Sequence, residues 1–406
     1  MSGRSRIARL LHDLVDVPSV SGEEEAASRF LVGEMRDLGF DRAFVDDVGN
    51  AVGEIGSPEA ARTVVLLGHI DTVPGDIAVR FEGSGDEEVL RGRGTVDAKG
   101  PLATFAVATS AVDRDLLRRA DARFIVAGAV EEESATSRGA RALRDRFDGV
   151  REPKPAACVI GEPSRFDRVT LGYKGRVLLE ARAENELAHT AGPDPGIAVQ
   201  LVELWNLLEA ASAKASPDEA RAFDQVQPSL RSLRSGLEDG FVSWAEASFG
   251  VRLPTGFDLD SFLSGVLEDW TAVAARREQV DAPPTPQLTL AQGASSLQWQ
   301  VGERSLELRA HGYEPAWRSG RANELVRSFQ RSVRAAGHRP GFVVKTGTSD
   351  MNVVGPAWQC PILAYGPGDS SLDHTPHEHV FVRELEQAVE VLTGALEVLL
   401  EGWSPE

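Results

Sequence analysis

The sequence predicts an α/β layered domain interrupted by a smaller α+β domain, and three observations carry that prediction. TVVLLGHI, RFIVAGAV and ACVIGE are short, continuously apolar, Val/Ile-rich runs, the pattern of strands buried on both faces. Helix-compatible stretches, PLATFAVATSAVDRDLLRRA and SRGARALRDRF, fall between them, and such alternation marks a layered α/β domain. After Gly172 the alternation weakens, and it returns only with RANELVRSFQRSVRAAG, GFVVKTG and CPILAYG. These changes divide the chain into a first part, 1–172, an insertion, 173–312, and a second part, 313–406. A length of 406 residues suffices for two or three separate cores.

Taken in order, residues 6–16 have apolar side chains at helical spacing. Ser21 with Glu24 three residues on reads as a capping box that opens a second helix running through Leu38. VDDVGNAVGEI is the first β-type run, ahead of the three apolar strands. In the insertion, the strand VLLEARAE leads through AHTAGPDPG to a helix over 197–213. Pro, Ser and Gly are frequent over 214–303, where strand and helix are hard to separate. An amphipathic helix over 384–400 closes the chain.

Charge and composition exclude several classes of function. With 43 Lys and Arg against 62 Asp and Glu, the net charge of -19 opposes polyanion binding, so nucleic acid is not an expected partner. Cys158 and Cys360 sit in apolar contexts and imply no disulfide framework. The first residues mix charged with apolar side chains, unlike a secretory leader, and no run approaches the roughly 18 apolar residues of a membrane span. A reducing cytoplasm, away from the membrane, is the expected compartment. No G-x-S-x-G elbow, P-loop or dinucleotide fingerprint is present, which leaves covalent acyl-enzyme and nucleotide chemistry without a motif.

Five segments read as following strands carry metal-ligating residue types. They are GHIDTVPG (His69, Asp71), GRGTVDAKG (Asp97), AVEEES (Glu131 to Glu133), GEPS (Glu162) and LDHTPHEH (His374, His377, His379). Each alone is weak, since a strand-end histidine is usually a satisfied hydrogen bonder and a glutamate triplet usually a solvated face. Gathered on one sheet edge, they would repel and desolvate one another unless cations compensated them. Imidazole with carboxylates and no thiolate suits Zn, Mn or Co, and the oxygen-rich mixture suits a pair of ions sharing a bridging carboxylate. Within EEE a shift of roles by one residue stays open, as does the choice among the three late histidines.

The order H-x-D, D-x-K-G, a Glu pair, G-E-P-S and a late H-x-x-x-E resembles the dinuclear-zinc aminoacylase and carboxypeptidase superfamily, which includes acetylornithine deacetylase and succinyl-diaminopimelate desuccinylase. The resemblance runs from His69 to Glu378. VDAKGPL, AVEEES, LGYKG, KTGTSDMN and YGPGDSSLDHTPHEH are similar to the branch that releases lysine or ornithine from an amino-group carrier protein. It implies a mixed-sheet α/β catalytic domain with an inserted α+β lid and dimerisation domain. It implies two divalent ions per chain, zinc first and cobalt or manganese as alternatives. His69 and Glu162 would hold one ion, Glu133 and His374 the other, and Asp97 would bridge both ahead of a cis peptide. Glu132 would be the general base and Asp71 the carboxylate that orients His69. His189 would reach the partner subunit's site in a homodimer formed by the lid and stabilise the oxyanion. Arg252 would bind a substrate carboxylate, with Thr346, Gly347, Thr348 and Ser349 as further donors.

The expected function is therefore a two-metal amidohydrolase that frees lysine or ornithine from the glutamyl terminus of a small acidic carrier protein. The alternative is a deacylase of small N-acyl amino acids of the acetylornithine or succinyl-diaminopimelate type. A more remote alternative is an inactive metal-binding interaction module. An acidic enzyme facing an acidic carrier needs a local positive patch. With so few lysines it must be built from arginines, for which Arg176, Arg252, Arg318 and Arg321 are candidates.

Overall fold

The computed structural model describes residues 4–187, 196–217, 219–286, 288, 290 and 294–404. The chain forms two units, one of Met1–Gly172, Arg318–Val344 and Ser349–Glu406, the other of Tyr173–Trp317 and Lys345–Thr348.

The apolar runs of the first unit pair as its central strands. Ala122–Ala129, Arg62–His69, Ala157–Gly161 and Ile362–Tyr365 lie side by side and parallel. Arg42–Val45 and Ala51–Ile55 extend one side and Arg168–Tyr173 the other, each in antiparallel pairing, so the sheet is mixed. Val64 to Leu67 and Phe124 to Ala127 are fully buried, as parallel strands covered on both faces demand. Helices Arg6–Val15, Lys99–Ala111, Glu324–Ala335 and Val382–Trp403 build one continuous core with the sheet. Helices Arg138–Arg146 and Asp350–Trp358 pack on each other, with Phe147 edge-on to Trp358 at 6.2 Å.

Local detail departs from the sequence reading in three places. The helix Glu25–Asp37 has no capping box: the Ser21 hydroxyl donates instead to Asp71, 2.7 Å away. PLATFAVATSAVDRDLLRRA is two helices, because Asp113 accepts the Asp115 N–H and caps a new helix at Arg114–Arg119. The segments bearing Asp97 and His374 do not extend main-sheet strands. They flank a separate three-stranded sheet of Arg80–Glu82, Val89–Arg91 and His379–Phe381, in which His379 lies opposite Arg91. That pairing brings two segments distant in sequence to one place.

The second unit is a five-stranded antiparallel sheet in the order Gln227–Glu238, Val242–Leu253, Gly175–Glu186, Arg304–Glu314, Ser295–Val301. Alternate residues Ala245, Ala247, Phe249, Val251 and Leu253 are buried, and they share a core with helices Ala198–Ala215 and Leu259–Glu278. No helix among the described residues is long and apolar enough to cross a membrane. Both cysteines are free.

Gly68 and Gly161 are register partners on adjacent strands, immediately before His69 and Glu162. A Cβ on Gly161 would fall 2.8 Å from the Gly68 Cα and 3.0 Å from Phe105. Neither backbone nor a buried ring can yield cheaply, so Gly161→Ala should destabilise the protein by about 1–3 kcal/mol. A lowered urea midpoint checks this, and an unchanged midpoint contradicts it.

Candidate metal centre

Five chain segments deliver ligand atoms to one point because strand ends and the small sheet converge there. His69 ends the strand Arg62–His69, Glu132 and Glu133 follow Ala122–Ala129, and Glu162 follows Ala157–Gly161. Asp97 follows Val89–Arg91 and His374 precedes His379–Phe381. Ligand atoms of His69, Asp97 and Glu162 lie within 4.8 Å of one another, as do those of Asp97, Glu133 and His374. Asp97 belongs to both groups. Its Oδ1 is 3.1 Å from His69 Nε2 and its Oδ2 is 3.0 Å from His374 Nε2, while His374 Nε2 also stands 3.0 Å from Glu133 Oε1. The Asp97–Ala98 peptide is cis.

The glutamate triplet divides by direction. Glu131, held at φ 59° in the left-handed region, pairs with Arg138 at 2.9 Å. Glu132 and Glu133 group with His69 instead. Of the late histidines, His374 alone joins the ligand groups among the described residues. His379 Nδ1 lies 2.7 Å from the His377 carbonyl and its ring lies edge-on to Phe381.

Asp71 holds this arrangement from behind. It is fully buried, and its Oδ1 lies 3.3 Å from His69 Nδ1, whose other neighbour is the Asp71 carbonyl at 3.0 Å. The same carboxylate accepts the Glu132 N–H at 3.1 Å, the Glu133 N–H at 3.0 Å and the Ser21 hydroxyl. Glu378, also fully buried, does the same for Asp97. It accepts the N–H groups of Gly94, Val96 and Asp97 at 2.9–3.1 Å and pairs with Arg93 at 2.8 Å.

The electrostatics are those of a site built for cations. Burial pushes Glu132 well up, with Asp350, Glu162 and Glu133 adding to the effect against the opposing His69. Burial and the Asp97 charge also raise Glu133. Asp97 goes the other way: burial is outweighed by hydrogen bonds to His374 and His69, and it stays below the usual carboxylate range. Hydrogen bonds to Asp97 and Glu133 push His374 up to about 10. Four carboxylates converging on two imidazoles, with no thiolate, fit a pair of hard or borderline divalent ions.

Arg252, Thr346, Gly347 and Thr348 lie in the second unit, where the Arg252 guanidinium donates to the Thr348 hydroxyl and that hydroxyl donates to the Lys174 carbonyl at 3.1 Å. Ser349, in the first unit, is the N-cap of helix Asp350–Trp358 and forms a capping box with Asn352. His189 lies outside the described residues. Sequence reasoning read Ser21 only as a helix cap and assigned no role to Arg93, Asp350 or Glu378. Only the H-x-x-x-E spacing pointed to Glu378, and it carried no hint of what that carboxylate bonds.

Imidazole and carboxylate pairs sharing one aspartate beside a partly buried glutamate define a metal-dependent hydrolase site. Residues 65–398 match the model of peptidase family M20/M25/M40, and the chain belongs to that family. It is 41% identical over 396 residues to the LysW-lysine hydrolase of Deinococcus radiodurans, with 97% of each chain covered. It is 35% identical to a putative LysW-lysine/LysW-ornithine hydrolase of Thermococcus kodakarensis, covering 96% of this chain and 91% of that one. Among solved structures, a dinuclear metal-binding M20 peptidase of Bacillus subtilis superposes with a TM-score of 0.67 at 12% identity, over 98% of both chains. That likeness shows the shared fold.

The raised His374 pKa has a definite sign. Its ion pairs stabilise the metal-free protein fully below the ordinary value of 6.5, and the contribution is lost as pH rises through about 10. In chelator-treated protein, the melting-temperature gap between wild type and His374→Ala should therefore narrow across that window. Metal uptake at a pH inside the window should release protons, measurable with an indicator dye. A gap that widens with pH would show that His374 is not held as a cation.

Proposed function

We propose that this protein is a two-metal amidohydrolase that releases lysine, or ornithine, from the glutamyl terminus of a small acidic amino-group carrier protein. The observation that carries the reaction class is the shared Asp97 between two ligand groups with the partly buried Glu132 beside them. The names of the relatives in Deinococcus radiodurans and Thermococcus kodakarensis, together with near-complete coverage, support the substrate. In this reading His69 and Glu162 hold one ion, Glu133 and His374 the second, and Asp97 both, with zinc as the metal and cobalt or manganese as alternatives. Two divalent ions so held would polarise the scissile carbonyl and make a water acidic enough to act near neutral pH.

The protein's own groups do the rest. Glu132 takes a proton from the attacking water and delivers it to the leaving amine, a role that a raised carboxylate pKa favours, and burial raises Glu132 here. Asp71 keeps His69 Nε2 aimed at Asp97 and fixes the backbone from which Glu132 projects. Arg252 and the 346–349 loop bind the carboxylate of the amino acid. The 173–312 insertion acts as lid and dimerisation domain, and His189 serves the partner subunit's site as oxyanion donor. The product enters lysine or arginine biosynthesis in the cytoplasm.

Three measurements test the proposal. Carrier-linked lysine should be cleaved with a specificity constant well above that of acetyl-lysine, acetylornithine or succinyl-diaminopimelate. Equal turnover of acetylornithine would make the protein a small-molecule deacylase. Glu132→Gln should keep its metal and lose roughly two to four orders of magnitude in turnover, whereas Glu133→Gln should lose metal. Exchanged phenotypes would shift the triplet's roles by one residue. Mixing His189→Ala with Glu132→Gln chains should regenerate partial activity, and failure despite proven subunit exchange would place His189 outside the neighbour's site.

A further inference from the structure

The chain carries 62 acidic and 43 basic residues, yet one stretch of its surface has the opposite sign. Between residues 318 and 340 there are six arginines and a single carboxylate, Glu324. The helix Glu324–Ala335 explains how they are presented. Leu325, Val326, Phe329 and Val333 face the core, so Arg327, Arg331 and Arg334, spaced four and three apart, share the opposite face. All three are exposed, as are Arg321 before the helix and Arg339 after it. Arg321 lies over the Phe342 ring and Arg327 donates to the Ala322 carbonyl, and among the described residues none of the five forms an ion pair. Of the other surface arginines, Arg80, Arg114, Arg182 and Arg383 each sit on a carboxylate, while Arg119, Arg231, Arg276 and Arg309 are exposed singly rather than gathered on one helix face.

Two further features give the strip a shape and a direction. A cavity of about 230 Å³ opens between this helix and the C-terminal helix, lined by two arginines, Arg327 and Arg331, one carboxylate, Glu324, and Ser328 and Val398. The far end of the strip abuts the segment that leaves the metal ligand Glu162. His338 lies edge-on to Phe166 at 4.8 Å, and the Gly341 N–H donates to the Asp167 carbonyl. Ser164 and Arg165 in turn donate to Gly366 and Gly368, on the loop that continues to His374. A partner seated on the strip is thus seated on the same unit as the metal centre, next to two of its ligand-bearing segments.

We infer that the arginine face of helix Glu324–Ala335, with Arg321 and Arg339, docks an acidic face of the carrier protein. This rests on the substrate reading above. Unpaired cations on a protein of this net charge attract a polyacidic partner locally while the remaining surface repels it, so the strip sets orientation as well as rate.

The test compares wild type with the charge-reversed variant R327E/R331E/R334E and with R327Q/R331Q/R334Q, on carrier-linked lysine and on a small glutamyl-lysine. The specificity constant on carrier-linked lysine should fall about tenfold or more on reversal and less with glutamine, while small-substrate turnover stays unchanged. Added salt should slow wild type on the carrier and barely affect the reversed variant. Should reversal disturb folding, the glutamine variant, which removes charge without adding any, supports the same comparison. Unchanged carrier turnover and salt dependence in both variants would overturn the inference. Loss of binding to a labelled oligonucleotide with carrier turnover intact would also overturn it and assign the face to nucleic acid. A wild type that cleaves small glutamyl-lysine but no carrier-linked lysine refutes the substrate reading first, and the docking inference with it.

Discussion

The structure depends on one buried carboxylate that is placed to hold no ion. Asp71 is fully buried, and its oxygens are shared among the His69 ring, the Ser21 hydroxyl and the N–H groups of Glu132 and Glu133. A buried charge with fewer partners would cost several kcal/mol, so this constellation forms completely or not at all. Because its partners come from the ends of two parallel strands and the chain ahead of the second helix, satisfying Asp71 fixes where those three segments meet. The candidate catalytic residues inherit their positions from that requirement.

Glu378 does the corresponding work on the other side. The small sheet aligns His379 with Arg91, which leaves Glu378 facing the turn that climbs to Asp97. Its three backbone N–H bonds fix the turn, and its ion pair with Arg93 offsets the burial of its charge. His374 and Asp97 are therefore tied together twice, directly at 3.0 Å and through a carboxylate four residues beyond the histidine. Removing a candidate ligand would take away one donor atom, whereas removing Asp71 or Glu378 releases the backbone from which several candidate ligands project.

What was legible in the sequence follows the range of the interactions that determine it. TVVLLGHI and RFIVAGAV could be read as strands because burial on both faces is written into each residue. The cluster of His69, Asp97, Glu133, Glu162 and His374 could be read because each is a metal-ligating residue type beside a strand. Ser21 was misread because S-x-x-E is a local signature of a helix start, and nothing local reveals a hydrogen bond to a carboxylate fifty positions away. Glu378 could be located by spacing but not interpreted, since its partners lie near residue 95. The 214–303 stretch was illegible for a different reason: the strand Gln227–Glu238 is exposed at nearly every position, so it shows no alternation for a period-two reading to detect.

Charge then decides how the site meets its ions. In the protein alone, the His374 cation stands between Asp97 and Glu133 and offsets part of the repulsion among four converging carboxylates. A divalent ion bound by the same donors removes the need for that proton, so loading exchanges a proton for a metal and is favoured as pH rises. The exchange leaves Asp71 and Glu378 untouched, because their partners are hydroxyls, backbone N–H groups, a ring nitrogen and a guanidinium. Small domains that fold only on metal binding lack such a scaffold. Here the positions of the candidate ligands are set by hydrogen bonds that no ion supplies, so an ion bound there would complete a site whose geometry the fold has already determined.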